Sequence, residues 1–141
     1  MKPEIKKKLS LLLFEDDDVD AMGFERAMRR VPLDLTLYRA KDGAEGLQML
    51  RDGAVDAPFL ILMDLNMPRM SGLEVMKEIR KDPNLRKSVI FVLTTSQDDE
   101  DIAQAYSLNA AGYMVKTHLG SGSEGLFSFL SQYCELVEMC R

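Results

Sequence analysis

The sequence predicts an α/β fold: a three-layer, doubly wound, five-stranded parallel sheet in the order 2-1-3-4-5. Three observations predict it. Strand-length apolar runs alternate with helix-period segments five times along the 141 residues, the pattern of a parallel sheet joined by right-handed crossovers. Leu9–Phe14, Phe59–Met63 and Val89–Leu93 are continuous or nearly continuous apolar runs, suited to burial on both faces, so they take the centre. Leu33–Tyr38 alternates apolar and polar residues, which suits a sheet edge. This order sets the first and third strands side by side, at the switch point where open α/β sheets bind ligands outside the carboxyl ends of their strands.

The elements follow in order. Leu9–Phe14 is the first strand, ended by Glu15-Asp16-Asp17-Asp18. Asp18 or a neighbour caps a helix from Val19 to about Arg30, whose apolar members Val19, Met22, Ala27 and Val31 are only moderately periodic. After the edge strand, Asp42-Gly43 turns into a short helix over Ala44–Arg51 with Ala44, Leu47 and Leu50 inward, closed by Asp52-Gly53. The third strand ends at Asp64, and Pro68 and Gly72 punctuate the loop beyond it. Ser71-Gly72-Leu73-Glu74 reads as a capping box opening a helix with Leu73, Met76 and Ile79, which Asp82-Pro83 stops. The fourth strand ends at Thr94-Thr95-Ser96, and Asp98-Asp99-Glu100-Asp101 opens the next helix, where acids suit the positive end of the helix dipole. Gly112–Val115 is the fifth strand, ending at Lys116. Gly120-Ser121-Gly122-Ser123 is a loop, and a last helix runs from about Ser123 to Met139.

Composition narrows the class. The 18 basic and 23 acidic residues leave a net charge of −5, which argues against a nucleic-acid footprint. The apolar run after the lysines at 2, 6, 7 and 8 is too short for a secretory signal and is followed at once by acids. No stretch approaches the roughly 20 apolar residues that span a bilayer. Cys134 and Cys140 sit roughly 9 Å apart along one helix, too far for an unstrained bridge, and read as reduced thiols of a cytoplasmic protein. There are no repeats and no linker that would separate domains.

The polar residues that end the strands then meet at one edge: Glu15 and Asp16, Asp64, Thr94 and Thr95, and Lys116. Crowded carboxylates repel unless a cation sits among them or a proton is taken up. Few oxygen ligands from protein suit Mg2+ (or Mn2+), which binds through one or two carboxylates plus phosphate. A lysine and a hydroxyl across the crevice are what an incoming phosphoryl group needs. The site is therefore suited to phosphoryl transfer onto a carboxylate nucleophile, Asp64. Which pair of the acids from Glu15 to Asp18 faces inward is a one-residue ambiguity.

The runs LLLFEDD, LILMDLNMPRMSG, VIFVLTTS and AGYMVKT, in this order and spacing, resemble the receiver domain of bacterial two-component response regulators, a CheY-like fold with the topology of flavodoxin. The wider pattern EDDDVDAM, DPNLRKSVIFVLTTS and AYSLNAAGY is similar to the small single-domain regulators paired with phytochrome-type sensor kinases. The resemblance covers about residues 9–138, and it implies an N-terminal tail over 1–8 and a single receiver domain over 9–141 with an extended C-terminal helix. It favours Glu15 and Asp16 as the inward pair. It implies that Asp64 accepts a phosphoryl group from a sensor histidine kinase, with Lys116 and Thr94 at the phosphoryl oxygens. Asp16, Asp64 and the Asn66 carbonyl would hold the metal, and Glu15 would reach it through water. Thr94 and Tyr113 would be the switch pair, and Asn66 and Ser96 would tune the lifetime of the acyl phosphate. Such a protein is no enzyme beyond Mg-dependent self-phosphorylation and autodephosphorylation.

Two departures stand out. Thr117 follows Lys116 where the family has proline after a cis bond, and a cis bond to a non-proline residue costs about 2.5–4 kcal/mol. Thr95 is bulkier than the Ala or Gly usual there and is expected to narrow access to Asp64. His118, the single histidine, reads as a loop residue, because the phosphodonor histidine belongs to the kinase. No effector domain is expected, so output passes to a partner through the helix from Asp98 to Leu108, the fifth strand and the last helix. The apolar residues Leu126, Phe127, Phe129, Leu130, Tyr133, Cys134, Leu136 and Val137 cover about 180° of that last helix, against the roughly 100° stripe that one packed face needs. A homodimer through this region is the expectation. Two other readings stay open. A receiver-like scaffold would never take phosphate. A haloacid-dehalogenase-type phosphatase would need a second acid two residues after Asp64, where Asn66 stands.

Overall fold

The continuous apolar runs do become the middle of the sheet. In the computed structural model, which describes residues 8–31, 34–119 and 124–138, the elements are β1 (Lys8–Phe14), α1 (Asp18–Met28), β2 (Asp34–Ala40), α2 (Gly43–Arg51), β3 (Phe59–Met63), α3 (Gly72–Lys81), β4 (Val89–Thr94), α4 (Asp99–Ser107), β5 (Gly112–Val115) and α5 (Glu124–Leu136), with a 3-10 turn over Lys116–Leu119. All neighbouring strands pair parallel, in the predicted order β2-β1-β3-β4-β5. β2 at the edge is only half-buried along most of its length, as its alternation requires. Leu33, the Gly120–Ser123 loop, Met139 and Cys140 lie outside the described residues, as do the side chains of His118 and Phe127.

Because side chains alternate along a strand, the sheet divides one core into two. Leu12, Phe14, Ile61, Met63, Ile90 and Val92 face α2, α3 and α4. Leu11, Leu13, Leu60, Leu62, Phe91 and Leu93 face α1 and α5. Met63 and Met76 are wholly buried and Met67 nearly so, which makes them packing residues rather than a binding surface.

Several faces differ from the sequence expectation. α1 buries Ala21, Phe24, Ala27 and Met28, whereas Val19 and Met22 are 78% and 55% exposed. In α2, Ala44 is exposed and Gly43 and Gly46 point inward instead. A Cβ on Gly46 would lie 2.0 Å from the Phe14 ring, so this helix packs on the sheet at a distance only glycine allows. α5 buries Leu126, Leu130 and Cys134 and ends at Leu136, three residues short of the expected Met139, with Leu136 81% exposed. The edge-to-face contacts of Phe91 with Phe129 and Tyr133 fasten α5 to β4.

Arg80 ties the far end of α3 to its surroundings. Its guanidinium donates to the carbonyls of Arg86, Ser88, Leu108 and Asn109 at 2.7–3.0 Å, holding the start of β4 and the end of α4 to one point. Burial pulls its pKa below the ordinary value.

Candidate functional site

The acid run after β1 is divided by local structure. Asp17 caps α1, its Oδ1 accepting from the Asp20 amide at 2.9 Å. Asp18 pairs with Arg39 of β2 at 2.8 Å, and this guanidinium holds its carboxyl below the usual range. Arg39 Nε also donates to the Glu15 carbonyl at 3.0 Å, fixing the turn. Glu15 and Asp16 are left to face the crevice, Glu15 buried and Asp16 exposed. These two are the acids of the run whose carboxylates lie near that of Asp64.

β3 delivers Asp64 to the same edge. The Asp64 amide donates to the Phe14 carbonyl at 3.2 Å, so β1 and β3 end level with one another. The loop then returns tightly. Arg69 sits at a φ of 68°, and a Cβ on Gly72 would lie 2.3 Å from the Asp64 carbonyl oxygen, so glycine is required for α3 to start this close to β3. Ser71 caps α3 by accepting from the Glu74 amide at 3.3 Å, the first half of the predicted box. Asp64 itself is 7% exposed. Its Oδ1 accepts from the Asn66 amide and the Thr94 hydroxyl, both at 3.1 Å.

From β4, the buried Thr94 Oγ1 accepts from the Ser96 amide at 3.4 Å. The Asn66 side chain, exposed at the rim, reaches Thr94 and Thr95 at 3.5 Å each. Thr95 is exposed and so stands at the mouth of the crevice. Tyr113 of β5 packs against the core and donates its hydroxyl to the Ser96 carbonyl at 3.0 Å, while Ser96 Oγ donates to Asp101 of α4 at 2.7 Å. Burial, with Asp101, Asp98 and Asp64 nearby, raises the Tyr113 pKa. Lys116 extends from the end of β5 to bond Glu15 Oε1, lies 3.0 Å from Asp20 Oδ2 and 3.6 Å from Asp64 Oδ2. Its bond to Thr117 is trans; among the described residues the cis peptide is Ala57–Pro58.

The electrostatics are those of a site with more negative charge than its lysine balances. Carboxylate oxygens of Glu15, Asp16 and Asp64 lie within 4.8 Å of one another. Burial raises the Glu15 pKa to about 7, aided by the neighbouring Asp64 carboxyl and opposed by Lys116. Burial pulls Lys116 down, but Glu15, Asp64 and Asp20 outweigh it and its pKa rises. Glu15 Oε2 is buried without a hydrogen-bond partner. An orphaned buried carboxylate oxygen within a three-carboxylate cluster fits a hard divalent cation, directly or through water.

The sequence pattern of the response regulator receiver domain matches residues 11–120. The chain belongs to that family. Receiver domains of response regulators are not classical enzymes, and the family implies a histidine-kinase partner. The probable methanogenesis regulatory protein FilR2 of Methanothrix harundinacea is 34% identical over 116 residues, 80% of this chain and 75% of that one. Response regulator Rcp1 of Synechocystis is 31% identical over 83% of this chain and 82% of its own. The manganese-bound crystal structure of Rcp1 superposes with a TM-score of 0.78 at 28% identity, covering 94% of this chain and 99% of that one. The phosphorylated cyanobacterial phytochrome response regulator RcpA superposes at 0.79, with 28% identity and coverage of 94% and 98%.

In this receiver domain the fold gathers Glu15, Asp16, Asp64, Asn66, Thr94, Ser96 and Lys116 at the carboxyl edge of the sheet, and Tyr113, from within β5, reaches Ser96 there with its hydroxyl. Sequence reasoning missed two residues there. Asp20 lies in the first turn of α1, three positions after the Asp17 cap, and its approach to Lys116 has no signal in the local sequence. Arg39 sits one place before the end of β2, opposite Leu13 of β1, and only the strand pairing brings it to Glu15. Among the described residues, no helix is long and apolar enough to cross a membrane.

Proposed function

We propose that the protein is a phospho-accepting response regulator whose acceptor is Asp64. The observation that carries this reading is the two-sided environment of the Asp64 carboxylate. Oδ1 is held by two donors, the Asn66 amide and the Thr94 hydroxyl, and Oδ2 turns toward Lys116. Oδ1 attacks the phosphorus of a kinase phosphohistidine. The P–O bond forms as the P–N bond breaks, and the electron pair returns to the imidazole. The donors now on Oδ1 pass to the new phosphoryl oxygens, and Lys116 offsets their charge. Asp16, Asp64 and the Asn66 carbonyl would hold Mg2+ or Mn2+, with Glu15 acting through water. The ion would supply positive charge against the phosphoryl oxygens.

Thr94 and Tyr113 form the switch, linked through Ser96, whose amide, carbonyl and hydroxyl touch Thr94, Tyr113 and Asp101 of α4 respectively. A shift of Thr94 toward the phosphoryl group thus disturbs the start of α4. Asn66 and Ser96, at the mouth of the crevice, govern how readily water reaches the acyl phosphate. Output passes through α4, β5 and α5. The exposed Phe129 and Leu136 of α5 support a homodimer on that face, read by light scattering with and without an acyl-phosphate mimic. The likeness to RcpA supports a phytochrome-type sensor histidine kinase as the donor and, with that partner, a cytoplasmic setting.

The test is intact-mass analysis after incubation with acetyl phosphate and Mg2+. A stable adduct of one phosphoryl group, abolished by Asp64→Asn, supports the reading. No adduct on the wild-type protein overturns it in favour of a scaffold, and rapid turnover of the donor without an adduct overturns it in favour of a phosphatase.

A further inference from the structure

Lys116 carries three N–H donors and no acceptor. Two of them are taken by carboxylates other than the one read here as the acceptor: Glu15 Oε1, and Asp20 Oδ2 at 3.0 Å. Asp64 Oδ2 stands at 3.6 Å, an ion-pair distance beyond a hydrogen bond. Asp20 lies in the first turn of α1, and its backbone amide is fixed by the Asp17 cap. That cap uses none of the Asp20 carboxylate, so the side chain is not needed to start the helix. Its carboxylate meets a lysine 96 positions away, from the opposite side of the crevice.

The two ion pairs are not equal. The Glu15 partner is 4% exposed and the Asp20 partner 50% exposed, so solvent screens the second far more than the first. A phosphoryl group on Asp64 would add about −1.5 to −2 charges and three strong acceptor oxygens beside the ammonium. Glu15 would keep its hold, and the screened pair would give way.

We propose that Asp20 is a positioning residue: an anionic catch that draws the Lys116 ammonium toward α1, so that an incoming phosphoryl group must compete with it for the lysine. This rests on the reading of Asp64 as the acceptor. It makes the first turn of α1 a brake on phosphorylation, built from a residue that neither receives the phosphoryl group nor belongs to the three-carboxylate cluster.

The experiment compares wild type, Asp20→Asn, Asp20→Glu and Asp18→Asn for the rate of adduct formation from acetyl phosphate with Mg2+. Asp20→Asn is expected to be about two- to fivefold faster, the range that a half-exposed ion pair is worth. Asp20→Glu restores the carboxylate and the slower rate. Asp18→Asn removes the same charge from the same turn but from a different partner, Arg39, and stays near wild type. Asp20→Asn and Asp18→Asn each lose one half-exposed or exposed ion pair and are expected to lower the urea midpoint by similar small amounts, so a purely structural role would change their rates alike. Without any phosphodonor, the 15N signal of the Lys116 Nζ group shifts in Asp20→Asn, because the ammonium loses one of its two carboxylate hydrogen bonds and keeps that to Glu15. An unchanged Nζ signal, or an Asp20→Asn protein no faster than a wild type that does form the adduct, overturns the catch alone. A wild type that takes no phosphoryl group overturns the acceptor reading, and the competition with it.

Discussion

α1 and α4 begin alike. Each is preceded or opened by a run of acids, and each is capped by an aspartate whose Oδ1 accepts a backbone amide, Asp17 from Asp20 at 2.9 Å and Asp98 from Glu100 at 2.8 Å. Both runs suit the positive end of a helix dipole. Beyond the cap they part. The acids around α1 meet Arg39, Lys116 and Asp64. The acids of α4 meet the Ser96 hydroxyl and the Gln104 amide, and among the described residues none of them forms an ion pair. The same local signal serves two ends because of what faces it. β1 lies between β2 and β3, so its acids look onto the ends of two neighbouring strands and the lysine of a fourth. A charge run is a site only when tertiary structure sets opposite chemistry across from it.

The widest separation between the two helices is expected in cation binding. Asp16→Asn lowers the affinity for Mg2+ about a hundredfold by isothermal titration, whereas Asp99→Asn leaves it unchanged. Equal losses would erase the distinction. The next effect is one of pH. In the metal-free protein, Glu15 titrates near 4.5 when unfolded and at about 7 when folded. Between these values the folded state holds a proton that the unfolded chain has lost, so stability falls as pH rises through that window. Urea denaturation in chelator from pH 4.5 to 8 shows this fall in wild type and in Asp98→Asn, and Glu15→Gln flattens it. The smallest effect is the one the helices share. Asp17→Ala and Asp98→Ala each cost about 1 kcal/mol of stability by the same denaturation. A much larger cost at Asp17 would mean that its cap also holds the site together.

The centre of the sheet was legible because an unbroken apolar run can only be satisfied with cover on both faces, as with Ile61 and Ile90, both wholly buried. The edge was legible from the alternation in β2. The buried side of α1 was not. Val19 and Met22 read as core by hydropathy, yet the helix turns Ala21 and Phe24 inward and leaves both exposed. In α2, Leu47 and Leu50 point inward as read, but the other two buried residues are glycines, which carry no hydropathy signal, and a Cβ on Gly43 would lie 2.6 Å from Val75. The site divided in the same way. Asp64, Thr94 and Lys116 were visible as strand-end polar residues, while Asp20 and Arg39 gained their meaning from partners distant in sequence.

The amino-acid order by itself determined which segments are strands and helices, how the strands are arranged, and which polar residues end them, because periodicity and capping are properties of consecutive residues. Only the tertiary structure decided how the acids after β1 are shared out: one to a cap, two to cations, two to the crevice. Lys116 reaches Glu15 across 101 positions. No local pattern encodes a charge whose partner arrives only when β5 closes the far side of the sheet.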